Sequence, residues 1–260
     1  MSVTHVIFDF DGLLVDTESS YTLANKMLFR KFGLEFTPEY NAMILGRKRD
    51  EGFPLLLKAA GLDGKITVKE YTTQFYALMD HLFRECKAMP GAEKLVRHLH
   101  KKANSLIFST HRAPKPYISR ESTASAQSRK VLKSKGVPMA ICTGSRSKTF
   151  GPRREPHKEW LDLIPLKVFC GDEPQIRGKP NPDPFIVTMN RFSVKPSDPS
   201  KVLVFEDSPN GGRSAKAAGM KCIIVPTEQS RQEAISIGVA QVLHSLEEFR
   251  PEMYGLPPYE

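Results

Sequence analysis

The 260-residue chain has four cysteines and one tryptophan, and neither residue type falls in a chemistry-bearing pattern. Cys86, Cys142, Cys170 and Cys222 are widely spaced, with no C-x-x-C pair. Three of them lie in or at the end of apolar strand-like runs, so the expectation is buried free thiols in a reducing compartment. No apolar run approaches the roughly 18 residues that a membrane-spanning helix needs. The N-terminus has no basic segment followed by an apolar one, as a secretory leader would have. These absences point to a cytoplasmic protein with no membrane partner.

Acidic residues are scarce in one place. Residues 101–136 hold nine basic residues and only Glu121 against them, so this stretch accounts for all but one of the chain's formal net charge of +9. A nucleic-acid surface interleaves basic residues with aromatics on an ordered element. This stretch is instead rich in Ser, Ala and Pro, the composition of a solvated loop. No nucleic-acid partner is expected. The remaining composition, 40% hydrophobic and 26% charged, is that of a globule large enough to bury a substantial core.

The chain is organised around Val6–Glu18, V-I-F-D-F-D-G-L-L-V-D-T-E. Val6–Phe8 reads as a strand buried on both faces. It runs into Asp9 and Asp11, with Gly12 following to let the backbone approach a ligand closely. Two carboxylates at the end of a parallel strand sit where open α/β sheets bind ligands, and they repel unless a cation or a shared proton holds them. D-x-D-G also occurs in plain acidic turns and calcium loops, so by itself the motif leaves both readings open.

Helical periodicity follows over 18–32, 37–45, 50–60 and 67–86, with nothing strand-like between 18 and 88. A helix is predicted over Ala92–His100. From Val137 the text alternates strands (Val137–Cys142, Leu166–Cys170, Val202–Phe205, Cys222–Val225 and a weaker Ala240–Leu243) with helices such as Pro182–Arg191 and Gly211–Ala218. The fold class is therefore α/β: a doubly wound, Rossmann-like parallel sheet with an inserted all-helical domain. The core domain is assigned to 1–15 and 90–260, the helical domain to 16–89.

Polar clusters follow the strands and should gather at one sheet edge. Thr143-Gly144-Ser145 suits a phosphate oxygen or a helix cap. Gly178-Lys179-Pro180 offers one lysine to an anion or to solvent. Glu206-Asp207-Ser208 suits a hard cation or a capped helix start.

In this order, D-F-D-G at 9–12, T-G-S at 143–145, Lys179 and E-D at 206–207 resemble the four motifs of the haloacid dehalogenase superfamily, and the helical insert resembles its α-helical cap. L-L-V-D-T-E, M-P-G-A-E-K-L, H-K-E, G-K-P-N-P-D-P-F, V-F-E-D-S-P-N-G and F-R-P-E-M-Y-G-L-P-P-Y-E are similar to cap-bearing phosphatases of modified nucleotides within it.

The resemblance implies a Mg²⁺-dependent phosphomonoesterase of a small phosphorylated nucleoside or sugar. Asp9 would attack phosphorus to give an aspartyl-phosphate, and Asp11 would move the proton. Gly12, Thr143, the Gly144 N–H and Lys179 would hold phosphoryl oxygens. Asp9, the Asp11 main-chain carbonyl, Asp207 and Glu206 would hold Mg²⁺. Glu18 and the cap loop Gly46, Lys48 and Arg49 would contact substrate; equally, Glu18 starts a helix and the loop is a solvated basic turn. A phosphosugar mutase and a catalytically silent fold with a basic loop are the competing readings, and a monomer is expected.

Two departures stand out. Residues from about 101 to 129 are extra to the family pattern. They contain a rival strand-like run, Ser105–Thr110, and Pro114 and Pro116 deny them a continuous helix. This insert is predicted to loop away from the sheet and to be the first point of proteolysis. Gly151-Pro152 is predicted to break the helix expected after Ser145.

Overall fold

The computed structural model describes residues 2–44, 49–101 and 136–260, with backbone only at 49 and 50. They divide into two compact units. Met1–Leu14, Ala88–Lys148 and Lys158–Glu260 form one, and Val15–Lys87 with Thr149–His157 form the other.

The first unit is built on a six-stranded sheet of order β3-β2-β1-β4-β5-β6. Its strands are β1 (His5–Phe8), β2 (Met139–Thr143), β3 (Leu166–Phe169), β4 (Val202–Glu206), β5 (Lys221–Ile224) and β6 (Gln241–Val242). Every neighbouring pair is parallel. The central strands read as continuous apolar runs because both faces are covered. Ile7, Ala140, Cys142, Val204, Cys222 and Ile224 share one buried cluster with Phe185 and Ala215. On the other face Phe8 stacks on Phe205 with ring centroids 5.2 Å apart, and Phe205 meets Phe249 edge-on at 4.9 Å. Strand starts shift slightly from the sequence reading. Val137 donates its N–H to the Leu99 carbonyl and Pro138 has none to give, so β2 opens at Met139.

The chain moves from β1 to β2 and β3 on one side, then to β4–β6 on the other. The carboxyl end of β1 is therefore the switch point of the sheet, where open α/β sheets leave a crevice. Phe8 pairs with Ile141 of β2 and Phe205 of β4, so the residues that follow Phe8 emerge between those two strands.

The second unit packs α1 (Thr17–Arg30), α2 (Pro38–Ile44), α3 (Arg49–Ala59) and α4 (Val68–Leu82). Ala24, Leu28 and Phe29 of α1, Phe53 and Leu56 of α3, and Tyr71, Phe75 and Met79 of α4 form its core. Helix α1 is capped by Asp16, whose side chain accepts from the Ser19 N–H at 3.0 Å. Glu18 sits in the first turn.

The sheet unit adds α5 (Ala92–Lys101), α7 (Lys158–Leu161), α8 (Asp183–Asn190), α9 (Pro209–Ala217) and α10 (Glu228–Ser236). Between α5 and α7 lies α6, Ser147–Arg154, which corrects the sequence reading: it runs through Gly151 and Pro152. Proline removes one N–H bond and crowds the preceding turn, but this helix ends two residues later. The buried Arg153 side chain reinforces its last turn, donating from Nε to the Thr149 carbonyl at 2.8 Å and from Nη2 to Thr149 Oγ1 at 2.9 Å. Arg153 also lies over the Phe83 ring at 4.8 Å, and residues 149–157 accordingly group with the helical unit.

The cysteines are free. Cys86, Cys142 and Cys222 are buried; Cys170, expected to be so, is half-exposed at the tip of β3. The extra stretch 101–129, its rival strand Ser105–Thr110, and the cap-loop residues Gly46 and Lys48 lie outside the described residues, apart from Lys101 at the end of α5. Strand β2, which follows that stretch, pairs fully with β1 and β3. Among the described residues no helix is long and apolar enough to cross a membrane.

Candidate active site

Asp9 follows β1 directly, and its N–H extends the sheet by donating to the Phe205 carbonyl at 2.9 Å. That bond fixes the buried carboxylate between β1 and β4. Glu206 ends β4 and is fully buried. Asp207 follows it, and Ser208 caps α9 by accepting the Gly211 N–H at 3.0 Å. The capped-helix reading of E-D-S holds for Ser208, and the two acids before it lie beside Asp9.

Asp9, Glu206 and Asp207 each offer a carboxylate oxygen within 4.8 Å of the others. Lys179 enters from the loop after β3, donating to Asp9 Oδ1 at 2.6 Å and to Glu206 Oε1. The second Glu206 oxygen accepts from the N–H groups of Asp207 and Ser208 and from the Ser208 hydroxyl. Both Glu206 oxygens are therefore engaged.

The electrostatics follow from burial. Loss of hydration raises the pKa of Asp9 to about 7; Lys179 opposes the rise, while Glu206 and Asp11 add to it. Asp207 is pushed well above the ordinary carboxylate range, first by burial and then by Glu206 and Asp9. Burial alone would lower Lys179, but the Asp9 and Glu206 charges hold it well above its usual value. One ammonium does not neutralise three crowded carboxylates, and such a set of hard oxygen donors fits Mg²⁺. Gly12 belongs to the same cradle. It has φ +80°, and a Cβ there would fall 2.4 Å from Asp207 Oδ2. Gly211 is fixed likewise, since a Cβ would overlap the Glu206 carboxylate.

Asp11 points toward β2. Its Oδ2 accepts from the Ser145 hydroxyl at 2.7 Å and from the Thr143 hydroxyl at 3.3 Å, and Thr143 Oγ1 in turn accepts the Ser145 N–H at 3.0 Å. Thr143 is not the cap of α6. The N–H of Ser147 is taken by Asp172 Oδ2 at 2.9 Å, from the segment after β3. Gly144 is exposed beside Thr143.

Of the residues singled out in the sequence, Asp9, Asp11, Gly12, Thr143, Gly144, Lys179, Glu206 and Asp207 gather at the carboxyl end of the sheet. Glu18 and the backbone of Arg49 belong to the helical unit; Gly46 and Lys48 are outside the described residues. Ser145 and Gly211 were missed as site residues, although both lie inside quoted motifs.

Residues 3–219 match the family described as haloacid dehalogenase-like hydrolase. The chain belongs to this family. Within it the chain is an enzyme of the phosphatase type. It is 35% identical over 261 residues to "(DL)-glycerol-3-phosphatase 1, mitochondrial" of Arabidopsis thaliana, covering 100% of this chain and 76% of that protein. It is 36% identical over 259 residues to "Probable pseudouridine-5'-phosphatase" of Drosophila melanogaster, covering 99% of this chain and 96% of that one. The fold is also that of a haloacid dehalogenase family hydrolase from Deinococcus radiodurans R1, solved with bound phosphate and sodium. That structure has a TM-score of 0.69 and 21% identity, with 99% of each chain covered.

Proposed function

We propose that the protein hydrolyses a phosphate monoester of a small nucleoside, with pseudouridine 5′-phosphate as the substrate, through an aspartyl-phosphate on Asp9. One observation carries the reading: a buried carboxylate held 2.6 Å from an ammonium and grouped with two further acids. A nucleophile must approach a phosphoryl group that is itself anionic, and Lys179 offsets that repulsion while keeping the Asp9 oxygen oriented. Thr143, with the Gly144 N–H and Lys179, stabilises the equatorial oxygens of the transferring group. Asp11 gives its proton to the leaving alcohol oxygen and then takes one from the water that cleaves the acyl phosphate.

Asp9 and Asp207 would hold Mg²⁺, together with the Asp11 main-chain carbonyl, with Glu206 behind them as the counter-ion of Lys179. When bound, the ion supplies charge neutralisation for the phosphoryl oxygens. Substrate choice is assigned to the helical unit through Glu18, Gly46, Lys48 and Arg49.

A second substrate, glycerol 3-phosphate, is favoured by the 35% identity to a plant glycerol-3-phosphatase. A panel of phosphate esters containing both compounds, assayed by phosphate release with and without Mg²⁺, decides between them. The expected result is kcat/KM highest for pseudouridine 5′-phosphate, no activity after chelation, and no turnover by D9N. Preference for glycerol 3-phosphate would replace the substrate assignment. Full activity of D9N would overturn the mechanism.

A further inference from the structure

We propose that Ser145 is the positioning residue for Asp11, holding its carboxyl group in the orientation from which it transfers a proton. The inference deepens the reading of Asp11 as the proton-transfer group and rests on it. The Ser145 hydroxyl donates to Asp11 Oδ2 at 2.7 Å, and the Thr143 hydroxyl donates to the same oxygen at 3.3 Å. Two O–H donors on the same oxygen hold the carboxyl group in one orientation.

The two donors are not equivalent. Thr143 has one hydroxyl proton, and it cannot be given to Asp11 and to a phosphoryl oxygen at once. When Thr143 turns its donor to a bound phosphoryl group, the Ser145 hydroxyl still holds Asp11 Oδ2. Ser145 also acts through its backbone, since its N–H donates to Thr143 Oγ1 at 3.0 Å. The serine thus orients both partners: its hydroxyl fixes the acid, and its amide holds the Thr143 oxygen.

Ser145 lies in the connection between β2 and α6 and is only half-buried, so loss of its hydroxyl leaves the sheet and the helix intact. The consequence is chemical. An alkyl ester needs a proton on its leaving oxygen, whereas p-nitrophenolate departs without one. A defect in placing the acid therefore slows the first ester far more than the second, and a general structural defect slows both alike.

The experiment is single-turnover release of the alcohol, with enzyme in excess over ester, for wild type, S145A, S145T and D11N. The substrates are the alkyl phosphate that wild type turns over best and p-nitrophenyl phosphate. For S145A the expected result is a loss of about tenfold or more on the alkyl ester, a part of the roughly 10²–10⁴-fold that a general acid contributes. On the aryl ester the loss should stay under about threefold by the same leaving-group argument. S145T, which keeps a hydroxyl, should recover most of the alkyl rate, and D11N should show the same ester dependence in stronger form.

Equal losses on the two esters, no loss with S145A, or an S145T variant no better than S145A would overturn the role of Ser145 while leaving the acid–base reading of Asp11 in place. A D11N variant that releases the alkyl alcohol normally would overturn both.

Discussion

Lys179 donates to Asp9 Oδ1 at 2.6 Å and at the same time to Glu206 Oε1, so one ammonium ties the tip of β1 to the tip of β4. The lysine side chain is 15% exposed and that of Glu206 is fully buried, so solvent screens this pair little. Replacing Lys179 by Met leaves two carboxylates facing each other without a cation. Breaking one side of a buried ion pair costs about 3–5 kcal/mol, and urea denaturation of K179M should show a loss of that size. Activity should fall by about 10²–10³, the effect of removing one donor to a developing oxyanion. A K179M protein as stable and as active as wild type would remove the lysine from the site.

Gly12 supplies a second test, of the cradle around Asp207. Its φ of +80° is open to glycine and strained for other residues, and an added Cβ would fall 2.4 Å from Asp207 Oδ2. The backbone penalty for G12A is about 1–2 kcal/mol. The larger effect is displacement of the Asp207 carboxylate. Titrating activity against Mg²⁺ should show the concentration for half-activation rising by about tenfold, one step of roughly 1.4 kcal/mol in binding. An unchanged Mg²⁺ requirement would separate Asp207 from metal binding.

How far the sequence discloses this arrangement varies from residue to residue. Strands β1, β2, β4 and β5 are legible because burial on both faces makes them short unbroken apolar runs. The acids at their tips are legible because Asp and Glu next to such runs are costly without a purpose. Ser145 is not legible in this way. Its partner is Asp11, which comes before the whole helical unit in the chain, and no local period reports a contact across that distance. Pro152 misleads for the opposite reason: the local rule says break, and a buried arginine one residue later outweighs it. Thr149–His157 groups with the helical unit, where Arg153 lies over Phe83 and His157 Nε2 meets the Cys86 carbonyl at 2.7 Å. Periodicity carries no trace of it.

The helical unit has its own buried polar pair. Tyr71 donates its hydroxyl to Asn25 Oδ1 at 2.8 Å, and Asn25 Nδ2 donates to the Tyr21 carbonyl at 3.1 Å. Tyr71 and Asn25 are both buried. Tyr71→Phe keeps the ring packing of α4 against Phe53 but leaves Asn25 Oδ1 without that donor. The expected cost is about 1–3 kcal/mol, that of an unsatisfied buried acceptor. Paired replacement with N25L should recover part of it, because two apolar groups then face each other. Additive losses in the double variant, measured by urea denaturation, would show that the two side chains are not coupled.

His5 gives the fold a predictable response to acid. It is 3% exposed at the start of β1, and its Nε2–H donates to the Val194 carbonyl at 2.7 Å. Nδ1 then has to accept from the Thr4 hydroxyl at 2.8 Å. Phe192 packs edge-on against the ring at 4.8 Å. A protonated ring would lose the Thr4 donor and carry a charge into this apolar setting. Burial accordingly lowers its pKa below the usual 6.5, with the Val194 bond only partly opposing. The unfolded chain then binds the proton first as pH falls. His5 therefore contributes stability in full above pH 6.5, and that contribution is lost progressively below it, down to the depressed folded pKa. Asp9 titrates nearby, but it does so in wild type and variant alike and cancels in their difference. Urea denaturation of wild type and H5Q between pH 7.5 and 5 should show wild type losing stability more steeply below pH 6.5. The excess slope approaches at most about 1.4 kcal/mol per pH unit, the value for one proton. Parallel curves for the two proteins would mean that the folded ring takes up its proton as readily as the unfolded one, with Nδ1–H donating to the Thr4 hydroxyl while Nε2–H still donates to the Val194 carbonyl.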